Sequence, residues 1–133
     1  MQKPFYIQEK PLSLERISHI FENNLEIQLS KQAIEAIDQC HSFLQKKLQD
    51  SDAMYYGVNT GFGSLCNILI GPEEIEQLQL NLVRSHACGT GDEVPSEIVR
   101  LMLLLKIQNL SFGYSGVREE TVKQMVAFYN QGI

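Results

Sequence analysis

One predicted helix constrains the fold more than any other feature of the sequence. Between Pro95 and Gly113, apolar residues occupy nearly every side of this helix: Val99, Leu101, Met102, Leu103, Leu104, Leu105, Ile107 and Leu110. Such a helix needs packing partners on several sides. Its strongly apolar run, residues 98–105, is interrupted by Arg100 and is too short for a bilayer, which requires about 20 apolar residues. The segment therefore predicts a helical core and argues against a membrane protein.

The N-terminal part of the chain is predicted to combine helices with short strands. Residues 5–7 and 26–29 alternate apolar and polar side chains, which is typical of strands. Ser13 and Ser30 each precede a helical pattern and are expected to be N-caps, with the second helix running to about Leu48. The predicted fold class is mainly α with a few short β-strands.

Glycine and proline divide the remaining sequence. Residues 54–71 contain four glycines, three of which separate two short apolar pieces, and they are predicted to form a loop. Pro72 begins the next helix, which is expected to end near Gly89-Thr90-Gly91. The expected buried stripe of this helix consists of Ile75, Leu78, Leu82 and Val83. A last helix follows Gly116 and carries on one face Val122, Met125, Val126 and Tyr129.

Composition narrows the functional classes. The chain has 133 residues, 44% of them apolar, which is enough for a core and argues against disorder. Its 16 acidic residues outnumber its 11 basic ones, and the resulting net charge of −5 does not suit a nucleic-acid partner. The three cysteines form no CxxC pair, and no apolar leader is visible, so reduced thiols and a cytoplasmic location are expected.

The spacing of the histidines relative to other possible ligands does not indicate a metal site. His41 lies near the apolar stripe of its helix, without Cys, Asp or Glu at a metal-like spacing, so a packed or boundary position is expected. His86 and Cys88 stand two residues apart, a spacing that points side chains apart on a helix. We therefore expect no metal.

The run YYGVNTGFG, residues 55–63, is the first of two segments that could carry chemistry. It lacks the Lys-Ser/Thr of a Walker A loop and the strand–GxGxxG–helix context of a dinucleotide site. Its glycines instead favour unusual backbone angles and close approach to a ligand. A tyrosine beside this loop is either an acid/base group, if its pKa falls from the usual value of about 10, or a residue packed under a turn.

The second segment is NLVRSHACG, residues 81–89. A histidine in the last turn of a helix often only complements the helix dipole. The same histidine can also contact a ligand, and the residues alone leave both interpretations open.

Taken together, the two segments resemble the aromatic amino acid ammonia-lyases. The run YGVNTGFGSL is followed about twenty residues later by LQLNLVRSHACGTG, and then by LLLKIQNLSFGYSGVREETV. The resemblance covers most of residues 5–133. It implies the N-terminal domain of that lyase fold over residues 1–111, and the beginning of the central helical bundle, cut short, over residues 112–133.

The resemblance also implies a chemistry. Members of the family eliminate ammonia from an α-amino acid, using the electrophile 4-methylideneimidazol-5-one (MIO), which forms from an internal Ala-Ser-Gly. Their catalytic acid/base tyrosine corresponds to Tyr56, and Gly63 ends the loop that lines the substrate site. A homotetrameric parent protein is implied as well.

A dipeptide after the NLVR-type run is implied to set the selectivity for the substrate ring. It reads Ser85-His86 here, which resembles the histidine-specific members, whereas the phenylalanine- and tyrosine-specific ones usually carry Phe-Leu and His-Leu. His86 would then contact the imidazole of L-histidine, and the product would be urocanate. A site that hydrogen-bonds a substrate nitrogen discriminates strongly against apolar rings.

The sequence departs from the family pattern in one respect. Its only similar triad, Tyr114-Ser115-Gly116, lies in a segment that precedes the electrophile loop in the family. The Ala-Ser-Gly that forms MIO is expected beyond Ile133. We therefore expect a piece of a longer lyase that is inactive by itself and that self-associates through the apolar faces of residues 98–110 and 122–129.

Two other functions remain open. The first is a tyrosine or phenylalanine ammonia-lyase, or an aminomutase, of the same family, which the Ser85-His86 pair disfavours. The second is a non-catalytic helical interaction domain in which Tyr56 and His86 are only structural.

Overall fold

The computed structural model describes residues 3–50 and 53–133, apart from the side chains of Asp50 and Pro72. Its elements in chain order are β1 (Phe5–Ile7), α1 (Leu14–Glu22), β2 (Ile27–Leu29), α2 (Lys31–Asp50), a 3₁₀ turn (Gly63–Leu65), α3 (Pro72–His86), α4 (Ser96–Ser111) and α5 (Glu119–Gln131). The prediction of a mainly helical chain with short strands is confirmed.

The chain divides into two compact units. Unit 1 comprises Met1–Gln49 and Val94–Ile133, and unit 2 comprises Asp50–Glu93. The domain boundary predicted between residues 111 and 112 concerns the architecture of the whole family and stays a prediction.

In unit 1, the two short strands pair in parallel across α1. Phe5 lies opposite Ile27, and Ile7 lies opposite Leu29. The side chain of Asn130, at the end of α5, extends this pairing: its Oδ1 accepts from the Ile27 N–H at 2.9 Å, and its Nδ2 donates to the Ile27 carbonyl at 3.0 Å. The last helix is thereby joined to a strand more than 100 residues earlier.

Both serine caps are confirmed. The Ser13 hydroxyl accepts from the backbone N–H of Arg16 at 3.4 Å, and the Ser30 hydroxyl accepts from that of Ala33 at 3.1 Å. These bonds satisfy N–H groups that have no partner in the first turn of a helix. At the other end, Gly132 closes α5 in the left-handed region at φ +71°.

The core of unit 1 is built from one face of each helix against the strands. Its large, fully buried apolar side chains are Ile7, Ile20, Ile27, Ile37, Leu104, Ile107 and Val122. The helix predicted to be apolar nearly all round is α4, which buries Leu104, Ile107 and Leu110 in this core but leaves other large side chains exposed, namely Ile98, Val99, Met102 and Leu105. Self-association through that exposed face stays a prediction.

Glycine is required in the turn between α4 and α5. A Cβ at Gly113 would lie 2.5 Å from the Ala36 carbonyl oxygen, and φ is +70° there. At Gly116, the N–H donates to the Cys40 Sγ at 3.2 Å, and the carbonyl lies 2.9 Å from the Nδ1 of His41. His41 is half-buried, which agrees with the packed or boundary position expected for it.

Unit 2 consists of an irregular loop and α3. Residues 54–71 form a loop as predicted, closed by an isolated antiparallel bridge between Thr60 and Leu69. Helix α3 begins at Pro72 as expected and ends at His86, three residues before the glycine-rich stop that begins at Gly89. The predicted buried stripe of α3 is wrong in part, because Val83 is 65% exposed. Its other members, Ile75, Leu78 and Leu82, are only half-buried. Unit 2 offers little apolar surface to cover them.

Among the described residues, no helix combines the length and hydropathy that crossing a bilayer requires.

Candidate active site

The glycine-rich loop of unit 2 is held by the side chain of Asn59. Its Oδ1 accepts from the Tyr55 N–H at 2.7 Å, and its Nδ2 donates to the Ala53 carbonyl at 2.9 Å. The Asn59 carbonyl in turn accepts from the Ile70 N–H at 2.9 Å. The Asn59 side chain therefore fixes the start of the loop, and the Asn59 carbonyl holds the end of the loop at Ile70.

Three glycines shape this loop in different ways. Gly57 and Gly63 adopt φ values of +73° and +57°, a region that L side chains rarely occupy. Gly61 needs space instead, because a Cβ there would lie 2.6 Å from the Leu65 Cβ. Nothing lies within 4 Å of the Cβ position at Gly63. The loop is thus open at Gly63, the position predicted to border the substrate site.

Tyr56 stands at the start of the loop and is 66% exposed. Its ring meets that of Phe62 edge to face, with the ring centroids 6.1 Å apart and the planes at 75°. Within the described residues, its hydroxyl makes no hydrogen bond. The tyrosine is therefore positioned through its ring and not packed under the turn, and its hydroxyl is left accessible.

Ser85 and His86 end α3 and contact each other. The Ser85 Oγ lies 2.9 Å from the Leu82 carbonyl oxygen and 3.0 Å from the His86 Nδ1. The same Nδ1 lies 3.0 Å from the Leu82 carbonyl oxygen. Both side chains are exposed, so this small network holds the imidazole at the surface of the helix end.

All four predicted site residues lie in unit 2. The structure joins them as two groups, with Tyr56 and Gly63 in one loop and Ser85 with His86 at the end of α3. No hydrogen bond or ring contact connects Tyr56 with His86 in the described part of the chain. Cys88 is exposed, and residues 3–50 and 53–133 contain no group of three or more potential metal ligands.

Unit 1 contains a cavity of about 570 Å³ that none of the predicted site residues lines. The Arg100 guanidinium lies in its wall, 5.3 Å from the ring centre of Phe21 and 4.7 Å from that of Tyr129. Its Nη1 donates to the Asn24 Oδ1 at 2.6 Å. Burial raises the pKa of Tyr129, while the charge of Arg100 acts in the opposite direction.

In the sequence, Arg100 is visible only as a break in an apolar run. No local signal could show its role, because Asn24 lies 76 residues away in sequence. The ring contacts make Arg100 a packing residue that joins α4 to α1 and α5.

Solved structures that share this fold include an ergothionase and a histidine ammonia-lyase. The ergothionase of Treponema denticola superimposes with a TM-score of 0.89 at 27% identity, covering 98% of this chain and 26% of that one. The histidine ammonia-lyase of Trypanosoma cruzi superimposes with a TM-score of 0.80 at 32% identity, covering 96% of this chain and 25% of that one.

The sequence comparison specifies the family. The profile of the family described as Aromatic amino acid lyase matches residues 12–133, and the chain belongs to that family. A histidine ammonia-lyase of Legionella pneumophila (strain Corby) is 44% identical over all 133 residues. The chain spans 26% of the length of that curated relative.

Proposed function

We propose that this chain supplies the N-terminal part of a histidine ammonia-lyase, which eliminates ammonia from L-histidine without oxidation and yields urocanate. The observation that carries the proposal is the Ser85–His86 pair at the end of α3, where a hydrogen-bonded imidazole is exposed at the surface. The 44% identity to a histidine ammonia-lyase supports the same substrate.

Tyr56 is assigned the role of catalytic base. The elimination requires removal of a weakly acidic β-proton from the substrate, and a phenolate positioned beside that carbon can accept it. Because tyrosine has an ordinary pKa of about 10, a positive charge or a hydrogen-bond donor in the complete site has to favour its phenolate. The accessible hydroxyl of Tyr56 is compatible with this role.

Gly63 and Ser85 are assigned supporting roles in substrate binding. The open space at Gly63 leaves room for a substrate to approach the loop backbone. The electrophile MIO would be formed by an Ala-Ser-Gly outside residues 1–133, and its chemistry would make the α-amino group a better leaving group. A polypeptide of residues 1–133 alone is therefore proposed to have no lyase activity.

His86 is assigned the selection of the substrate ring. An imidazole on the protein can form a hydrogen bond with a second imidazole, whereas it gains nothing from a phenyl ring. Tyrosine and phenylalanine should accordingly be poor substrates. A homotetrameric parent, a cytoplasmic location and the absence of nucleic-acid partners remain predictions.

The test is a substrate panel applied to a full-length protein that contains this chain. With L-histidine, the ultraviolet absorbance of urocanate should increase, while L-tyrosine and L-phenylalanine should yield little cinnamate-type product. Preferential turnover of either of these, or formation of a β-amino acid, would instead identify a different lyase or an aminomutase. Absence of turnover with all three would favour a non-catalytic role. The 133-residue chain serves as the negative control.

A further inference from the structure

The contacts around His86 determine which of its ring nitrogens carries the proton. The Leu82 carbonyl oxygen can only accept hydrogen bonds, and it lies 3.0 Å from Nδ1. An unprotonated Nδ1 would direct its lone pair at that oxygen. A proton on Nδ1 turns the same contact into a hydrogen bond.

Ser85 strengthens this assignment. Its hydroxyl has one proton, which it donates to the Leu82 carbonyl at 2.9 Å. The Ser85 oxygen is then left as an acceptor, 3.0 Å from the His86 Nδ1. All three contacts are satisfied together only when Nδ1 is the donor.

We propose that Ser85 is a positioning residue that, together with the Leu82 carbonyl, holds neutral His86 in its Nδ1–H form, so that Nε2 is an acceptor for a heteroaromatic ring N–H on the ligand. In a neutral imidazole, one nitrogen donates and the other accepts. Because Nδ1 is the donor, the exposed Nε2 has a free lone pair. As a substrate assignment, this inference rests on the proposed function.

The preferred ligand class follows from this polarity. A five-membered ring that carries an N–H, such as a neutral imidazole, can donate to Nε2. A thiazole or furan ring of similar size has no N–H, and it would leave Nε2 without a partner in a desolvated site. An unpaired buried acceptor costs binding energy.

The other two histidines provide internal controls. The Nδ1 of His41 lies 2.9 Å from the Gly116 carbonyl, so it too must carry the proton. The Asn23 Nδ2 donates to the His19 carbonyl at 2.9 Å, which fixes the orientation of the amide. That Nδ2 lies 3.1 Å from the His19 Nδ1, so Nδ1 accepts there and the proton resides on Nε2.

The direct test is ¹⁵N NMR of the three histidine rings in the 133-residue chain, at about pH 8.5, about two units above the ordinary histidine pKa of about 6.5. His86 and His41 should give the Nδ1–H pattern, and His19 should give the Nε2–H pattern.

Ser85→Ala should move His86 toward Nε2–H, and Ser85→Thr should restore Nδ1–H. The matched control is Ser42→Ala, since Ser42 is exposed and adjacent to His41; it should change none of the three. An Nε2–H pattern for His86 in the unsubstituted chain would overturn the proposal, as would a Ser85→Ala spectrum without change.

A second measurement separates this proposal from the proposed function. In a full-length protein containing the chain, Ser85→Ala should raise KM for L-histidine about tenfold, as expected for the loss of one ordinary hydrogen bond, with little change in kcat. Thiazolylalanine has no ring N–H, so the same substitution should raise KM for that compound much less. Equal increases in KM for both compounds would overturn the assignment of Nε2 as the acceptor for a ring N–H. If L-histidine is not a substrate, the proposed function fails, while the NMR result still decides the proton position.

Discussion

The two units of the molecule differ in what holds them together. Unit 1 contains a continuous apolar core around the buried side chains of β1, β2, α1, α2, α4 and α5. In the described part of unit 2, only Thr60 and Gly61 are buried, and the large apolar side chains are half-buried or exposed. Every residue assigned to the chemistry lies in unit 2.

Unit 2 depends instead on hydrogen bonds in and around its loop. The Asn59 side chain and the bonds from the Gly61 and Ile70 N–H groups close the loop without an apolar core beneath it. Binding and catalytic groups commonly lie on such segments, which have low local stability and are supported by a more rigid part of the fold. Stability and chemistry therefore reside in different parts of this chain.

The largest effect is expected at Tyr56, on rate and not on stability. In a full-length protein, Tyr56→Phe should lower kcat for L-histidine by about 10²–10⁴-fold, because a positioned acid/base group contributes about that factor. The unfolding midpoint should not change, since the hydroxyl is exposed. Tyr114→Phe is the control, because Tyr114 is 88% exposed in unit 1. Steady-state kinetics that give equal rates for the two variants would remove Tyr56 from the mechanism.

The next effect concerns the core of unit 1. Ile107 is fully buried, so Ile107→Ala should lower the free energy of unfolding by about 2–5 kcal/mol through lost apolar contacts and a cavity. Ile68 in unit 2 is 49% exposed, and Ile68→Ala should cost less than about 1 kcal/mol. Urea denaturation monitored by circular dichroism measures both. Similar losses for the two variants would contradict the proposed difference between the units.

A smaller loss is expected at the junction of α5 with β2. Asn130→Ala removes both hydrogen bonds to the buried Ile27 backbone and should cost about 1–3 kcal/mol, because a buried donor is left without a partner. Gln131→Ala, at the adjacent exposed position, should change the free energy of unfolding by about 0.5 kcal/mol or less. Thermal unfolding of the two variants side by side tests the claim, and an unchanged Asn130→Ala protein refutes it.

The smallest effect is expected in the loop itself. Gly63→Ala meets no neighbouring atom but must adopt φ +57°, which costs about 1–2 kcal/mol for a residue with a Cβ. Gly89→Ala also meets open space, without a positive φ, and should be nearly neutral. Hydrogen exchange at the Ile70 amide, which bonds to Asn59 across the loop, should be faster in the first variant only. Equal exchange rates would show that the backbone angle at Gly63 does not limit the stability of the loop.

Local signals predict much of the fold. Ser13 and Ser30 are recognisable as caps because capping depends on residues three positions apart. The start of α3 at Pro72 is predicted, whereas its end is predicted only to within a few residues: Gly89 is typical of a helix end, and the last helical residue is His86. Periodicity alone cannot predict the buried side of α3, because burial depends on surfaces elsewhere in the chain.

Contacts between distant residues are beyond sequence reasoning. Three contacts join segments that no short motif connects. They are the parallel pairing of Phe5 with Ile27, the hydrogen bonds between Asn130 and Ile27, and the stacking of Arg100 on Tyr129. The site residues are predicted through the family resemblance. The proton position on His86 requires the three distances around Leu82.

Native-state hydrogen exchange tests the division between the two units most directly. In the 133-residue chain, the amides of Leu104 and Ile107 in α4 should exchange only through global unfolding, while those of Gly61 and Ile70 should exchange through a local opening of lower free energy. Low concentrations of urea should accelerate exchange at Leu104 and Ile107 and leave exchange at Gly61 and Ile70 unaffected. A single common free energy and urea dependence for all four amides would contradict it.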